Sequence, residues 1–286
     1  MKMLVFGHGY CAGFLTPLLT GRGWHVTGTT RGDCSRVAAA GAQPLLWPGQ
    51  EDAVRTAIAQ ADAILVSAAP DGQGDPVLAA FAPDLARARP RWLGYLSTTG
   101  VYGDAAGGWV DEDTPPAPST ARGQARVRAE TAWQDLARAR DLPLHIFRLA
   151  GIYGPGRGPF AKLRRGTAQR VIKPGQVFSR IHVEDIAQVL LASIRAPDAG
   201  AVYNLCDDDP APPQDVIAYA AQLLEMPVPP AVDFRTADLS PMARSFYSDS
   251  KRVRNDRIKR DLGVTLRHPD YRSALQAILR AEAGGS

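Results

Sequence analysis

Near the N-terminus an apolar run, Met3-Leu4-Val5-Phe6, ends in Gly7-His8-Gly9-Tyr10-Cys11-Ala12-Gly13, and Phe14, Leu15, Leu18 and Leu19 follow at helical spacing. This is a G-x-G-x-x-A/G turn between a strand and an apolar helix. The first glycine allows a tight turn, the second lets a ligand approach the backbone, and a small third residue lets helix and strand pack closely. Free N–H groups of Tyr10, Cys11 and Ala12 at the helix start would then face an anion. The chemistry these residues suit is the binding of a dinucleotide pyrophosphate, against the bland alternative of a glycine-rich turn.

The next apolar run, Trp24-His25-Val26-Thr27-Gly28-Thr29-Thr30-Arg31, bears on which dinucleotide is bound. An acidic residue at its end would hydrogen-bond the ribose 2′-hydroxyl of NAD, and none is there. Thr30 and Arg31 suit the 2′-phosphate of NADP instead, by charge-assisted hydrogen bonds, with Asp33 nearby as a complication and NAD not excluded. Ser67-Ala68-Ala69, after the run Ala63–Val66, are small enough to let a ligand pass closely. Ordinary strand termination would look the same.

The elements that must position these residues alternate. Strands are expected at 2–6, 24–29, 43–47, 62–67, 91–98, 143–148 and 201–205, with helices near 10–21, 35–40, 51–60, 76–88, 119–140 and 183–196. That rhythm implies an α/β fold, a doubly wound parallel Rossmann-type sheet. Two stretches break it: 155–178, rich in Gly, Pro and Arg, and everything after about 206, punctuated by prolines. We therefore expect a Rossmann domain from 1–154 plus 179–205, and a small C-terminal substrate-facing lobe from 155–178 plus 206–286.

Composition narrows the function classes. A chain of 286 residues with 45% hydrophobic residues can bury a substantial core. Its charge of +4 is spread along the sequence, too mild for a nucleic-acid footprint. Only five of the 33 basic residues are lysines, so any one arginine is weaker evidence than usual. Cys11, Cys34 and Cys206 form neither a disulfide framework nor a zinc motif, and Asp207-Asp208-Asp209 lacks calcium-loop spacing, so no metal is expected. With no signal-like N-terminus and no run approaching the ~20 apolar residues of a membrane span, a cytoplasmic protein without a membrane partner is expected.

Trp92-Leu93-Gly94-Tyr95-Leu96-Ser97-Thr98-Thr99-Gly100-Val101-Tyr102-Gly103 resembles the S-T/S-x-x-V-Y-G segment of the extended short-chain dehydrogenase/reductase family, the sugar-nucleotide epimerase and dehydratase type. Arg148-Leu149-Ala150-Gly151-Ile152-Tyr153-Gly154-Pro155 resembles its R-x-x-x-x-Y-G-P segment, and Ile181-His182-Val183-Glu184-Asp185 its H-V-x-D helix start. The resemblance covers residues 4 to about 190. It implies a Ser/Thr, a Tyr and a Lys working together at the nicotinamide, with Thr98 on the hydroxyl position and Ala150 beside the cofactor.

The Tyr-x-x-x-Lys motif should fall at Arg122-Gly123-Gln124-Ala125-Arg126, with Glu130 on the glutamate position, so Arg122 stands for Tyr and Arg126 for Lys. Arginine does not cycle protons near neutral pH. Arg126 could still hold ribose hydroxyls, and the pair could bind an anion or merely face water on a helix whose apolar stripe includes Val127 and Trp133. Tyr102, Tyr153 and His182 are the replacement proton donors to consider, although Tyr102 and Tyr153 are more often structural or, as Tyr153 and His182 would be, substrate-lining.

Two expectations follow. The first is an NADP-preferring, epimerase/dehydratase-like oxidoreductase with an altered active site, acting on a small, anionic carbonyl or sugar-derived compound. The second is a catalytically silent NADP-responsive regulator or binding protein; fold alone does not choose between them. The resemblance also implies a homodimer built on helices 76–88 and 119–140.

Overall fold

The computed structural model describes residues 1–196 and 200–284. Residues 197–199 and 285–286, which fall in the two expected units, lie outside the described residues. In chain order the first half runs β1 (Lys2–Phe6), α1 (Tyr10–Thr20), β2 (His25–Thr30), α2 (Cys34–Ala39), β3 (Gln43–Leu46), α3 (Glu51–Gln60), β4 (Ala63–Val66), α4 (Pro76–Arg87), β5 (Trp92–Thr98), β6 (Trp109–Val110) and α5 (Ala121–Arg140). It continues β7 (Leu144–Leu149), β8 (Gly151–Tyr153), α6 (Pro159–Arg164), β9 (Arg170–Ile172), β10 (Arg180–His182), α7 (Val183–Arg195), β11 (Val202–Leu205), α8 (Pro213–Leu223), β12 (Ala231–Asp233), α9 (Pro241–Phe246), β13 (Arg252–Val253), α10 (Asp256–Leu262) and α11 (Tyr271–Gly284). The seven expected strands and six expected helices all form.

Those seven strands make one parallel sheet in the order β11-β7-β5-β4-β1-β2-β3. Strand order reverses between β1 and β4, which opens a crevice beyond their carboxyl ends. Alternation along β1 shows why both faces must be covered. Met3 and Val5 enter one core with Leu15 and Leu19 of α1 and Ile186 and Leu190 of α7. Leu4 and Phe6 enter the other with Val54 of α3, Phe81 of α4 and Trp133 of α5.

Trp133 is fully buried and its indole N–H donates to Asp75 Oδ2 at 3.1 Å, tying α5 to the residue that caps α4. Besides Trp133 and Glu130, the stripe that α5 buries is built of small residues, Gly123, Ala125, Ala129 and Ala137, while Val127 is only half-buried against the opposite core. An alanine stripe leaves little hydrophobic contrast to read in a sequence.

Outside the main sheet, β8 pairs with β10, β9 with β12 and β6 with β13 as short parallel ladders. They were not foreseen, because runs of two or three residues carry no period. A third core gathers Tyr153, Phe160, Val216, Ala220, Tyr271 and Leu275. Val253, Ile258, Val264 and Leu266, although part of the stretch expected in the lobe, pack into the first core beside α7. No helix among the described residues is long and apolar enough to cross a membrane.

Candidate active site

The glycine turn lies at the mouth of the crevice. Gly7 has φ +76°, and a Cβ there would stand 3.0 Å from the Ala68 amide nitrogen, so the turns that follow β1 and β4 approach this closely only because the residue has no side chain. The Gly7 N–H donates to Thr29 Oγ1 at 2.8 Å. Gly9 is the N-cap of α1, and no side chain caps that helix, which leaves its first-turn N–H groups to a ligand. Ala12 is fully buried against the sheet whereas Gly13 has open space around it, so Ala12 is the close-packing residue of the turn.

Cys11 points into the core, and burial pushes its thiol up to about 11. It takes part in the turn through its backbone and not as a thiolate. His8 was not foreseen as a working residue. Its N–H donates to Thr29 O, its Nε2 meets Thr16 Oγ1 at 2.8 Å, and its ring lies against Gly28. A glycine inside β2 was the available signal, since such a glycine often marks a close approach.

At the end of β2, the threonine hydroxyls serve the protein itself. Thr29 is occupied by Gly7, and buried Thr30 accepts from the Gly32 N–H at 3.4 Å. Arg31 is exposed and has no ion-pair partner among the described residues. Asp33 turns away: its carboxylate caps α2 by accepting from the Arg36 N–H at 2.9 Å and pairs with the Arg36 side chain at 3.6 Å. Ser67 and Ala68 follow β4 half-buried beside Gly7, with Ala69 exposed.

Across the crevice, Thr98 closes β5. Its Oγ1 accepts from the Gly100 N–H at 3.1 Å, and the side chain is half-exposed. The first turn of α5 presses on this point, since a Cβ on Gly123 would stand 2.8 Å from Gly100 O. Arg122, on that same turn, is exposed and has no ion-pair partner among the described residues. Arg126 is half-buried and anchored to β5, donating to Leu96 O at 2.6 Å and to the Tyr95 hydroxyl at 3.0 Å, with its guanidinium 5.6 Å above the Tyr95 ring. Part of its donor fork is therefore already engaged.

Below these residues lies a buried polar network. Glu130 and Arg148 pair at 2.8 Å, both side chains almost wholly covered, and Ser97 Oγ donates to Glu130. Arg148 also donates to the Tyr102 hydroxyl at 3.0 Å, and that hydroxyl donates to Asn204 Oδ1 at 2.8 Å. The Tyr102 hydroxyl, considered above as a proton donor, is thus engaged by Arg148 and Asn204. Tyr102 is 3% exposed, and burial, only partly opposed by Arg148, pushes its hydroxyl up to about 12.

Tyr153 and His182, expected to line the substrate, meet each other instead of open space. Both are buried, packed edge to face with ring centroids 5.4 Å apart, and His182 caps α7 by accepting from the Glu184 N–H at Nδ1. Burial chiefly, with the His268 ring adding, brings His182 down to about 4, so its imidazole is neutral. Burial raises the Tyr153 hydroxyl well above its ordinary value, and Asp207 adds to this. Ala150 follows β7, buried, with its N–H donating to Leu205 O. The hairpin that follows instead brings Pro155 O to the Tyr10 hydroxyl at 2.9 Å and the exposed guanidinium of Arg157 to 5.5 Å over the Tyr10 ring.

The family model described as the NAD dependent epimerase/dehydratase family matches residues 3–206. The chain belongs to that family. It is 30% identical to Protein YeeZ of Escherichia coli K12, with 94% of this chain and 97% of that protein covered. Among solved structures it is 59% identical to a functionally unknown conserved protein from Silicibacter pomeroyi, at a TM-score of 0.92 and 98% coverage of both chains. The human epimerase family protein SDR39U1, solved with NADPH, shares the fold at 19% identity and a TM-score of 0.76, covering 98% of this chain and 99% of that one.

Proposed function

We propose that this chain binds NADP in the β1/β4 crevice and acts on a small anionic carbonyl compound held beside the nicotinamide. The observation that carries the reading is the charge around the crevice. Arg31, Arg122 and Arg157 stand exposed at the carboxyl ends of the strands with no ion-pair partner among the described residues, and Asp33 is turned into its own helix cap. Guanidinium forks suit a 2′-phosphate at one end and a carboxylate or phosphate at the other. The NADPH solved with human SDR39U1 is consistent with this choice.

When bound, the dinucleotide supplies a hydride to the carbonyl carbon. Thr98 orients the substrate oxygen, Arg126 holds the nicotinamide ribose from its anchor on β5, Arg122 holds the substrate anion, and a proton reaches the oxygen from solvent. Arg31→Ala should weaken NADPH binding by about ten- to a hundredfold, the worth of one charged hydrogen-bonded contact, and leave NADH binding nearly unchanged. Equal losses in a fluorescence titration with both cofactors would remove the 2′-phosphate assignment.

For the substrate, NADPH oxidation is followed with a panel of keto acids, aldehydes and phosphorylated carbonyls beside their neutral analogues. We expect turnover confined to the anionic members, with KM for them raised at least ~10-fold in Arg122→Ala and NADPH affinity unaltered. A second reading, a dinucleotide-responsive binding protein without turnover, draws on the burial of Tyr102, Tyr153 and His182, the three proton donors considered. Tight NADPH binding with no oxidation across the panel would favour it.

A further inference from the structure

The turn that follows β8 closes both on itself and on the start of α1. Gly154 and Arg157 exchange backbone hydrogen bonds of 2.8 and 3.0 Å, with Gly156 between them at φ +70°. The Tyr10 hydroxyl donates to Pro155 O at 2.9 Å, and a Cβ on Gly154 would stand 2.7 Å from that hydroxyl and from Val183 Cγ1. Any side chain at 154 would lift the hairpin off α1.

The contact brings a charge with it. The Arg157 guanidinium lies 5.5 Å over the Tyr10 ring. Burial chiefly raises the Tyr10 hydroxyl to about 12 and the Cys11 thiol to about 11, and the Arg157 charge opposes both, so it is felt at the first two residues of α1. No acidic residue lies in that first turn, and the N-cap, Gly9, has no side chain to offer. Glu184, whose carboxylate also reaches Tyr10, is engaged by His268 at 2.9 Å. Arg157 itself is exposed, with neither an ion pair nor a side-chain hydrogen bond among the described residues. A full positive charge thus stands beside the partial positive charge of the free N–H groups of α1. The two repel, and an anion held by both converts the repulsion into attraction.

Building on the dinucleotide reading above, we propose that Arg157 holds the cofactor's pyrophosphate jointly with the first N–H groups of α1, so that cofactor binding ties the 154–158 hairpin to the glycine turn. A guanidinium fork matches paired phosphate oxygens, and the Tyr10 ring beneath steadies it. Arg31 is assigned to a phosphate that NADH lacks. Arg157 is assigned to a group that both cofactors share.

The test titrates full-length protein and Arg157→Gln with NADPH, NADH and ADP-ribose by calorimetry, and melts each protein without ligand. Affinity should fall about ten- to a hundredfold for all three ligands, the unliganded variant should melt with the unsubstituted protein, and Arg157→Lys, which keeps the charge, should recover part of the affinity. Unchanged affinity in Arg157→Gln, or a loss confined to NADPH, overturns the proposal and leaves the dinucleotide reading standing. So does a loss that comes with earlier melting and is not recovered by lysine, which would make Arg157 a support of the hairpin alone. No binding of any of the three ligands by the unsubstituted protein overturns both readings.

Discussion

Glu130→Ala should lower the free energy of unfolding by about 3–5 kcal/mol, the cost of leaving a buried charge without its partner. Arg148 sits 5% exposed under the sheet's upper edge, and without Glu130 its remaining neutral partner is the Tyr102 hydroxyl. Ser97 would also lose the carboxylate that accepts its hydrogen bond. Because Ser97 precedes Thr98, the loss should loosen the end of β5 as well as the core. Equilibrium urea unfolding measures the effect, and a drop below ~1 kcal/mol would mean the pair is not buried as described. The double variant Glu130→Leu, Arg148→Met should recover much of the loss, since apolar replacement of a whole buried pair is often neutral or better.

Gly7→Ala should weaken NADPH binding by about a hundredfold, equivalent to ~2.8 kcal/mol. Alanine at φ +76° costs ~1–2 kcal/mol in the backbone alone, and its methyl would press on the Ala68 amide. Relief of that contact moves the turn away from β4 and breaks the Gly7–Thr29 hydrogen bond, so the N–H groups that would face the pyrophosphate lose their aim. Gly13→Ala is the matched control. It lies six residues on, inside α1, with open space at its Cβ position. A mid-helix alanine there should keep cofactor affinity and add up to ~1 kcal/mol of stability. Similar binding in both variants would refute the assigned role of the turn.

Local patterns carried the reading of the sheet. Most of the sheet strands, β1, β4, β5 and β7 above all, are apolar runs bounded by turn residues, and α1 and α7 show a helical period, so windows of a few residues sufficed there; β2, rich in threonine, and the alanine stripe of α5 offered less contrast. The site was legible only where a single residue type implies a single backbone task, as Gly7 and Ala12 do. Partnerships across the fold left no local trace. Glu130 finds Arg148 from a helix to a strand, and His182 finds His268 from a helix cap to a late segment. Tyr102 looks the same in a sequence whether its hydroxyl faces a ligand or Asn204. Asp33 was nearer to legible, because an aspartate just before a short helix is an N-cap by preference.

The placement of Val253, Ile258, Val264 and Leu266 in the sheet's first core has a consequence for how the chain unfolds. The C-terminal stretch is not a flap hinged onto a finished nucleotide domain; it roofs that domain's hydrophobic interior and is stitched to it again by Asp185. The matched segment 3–206 taken alone would leave that interior open to water. Because the two parts share one hydrophobic interior, they should unfold together as one cooperative unit.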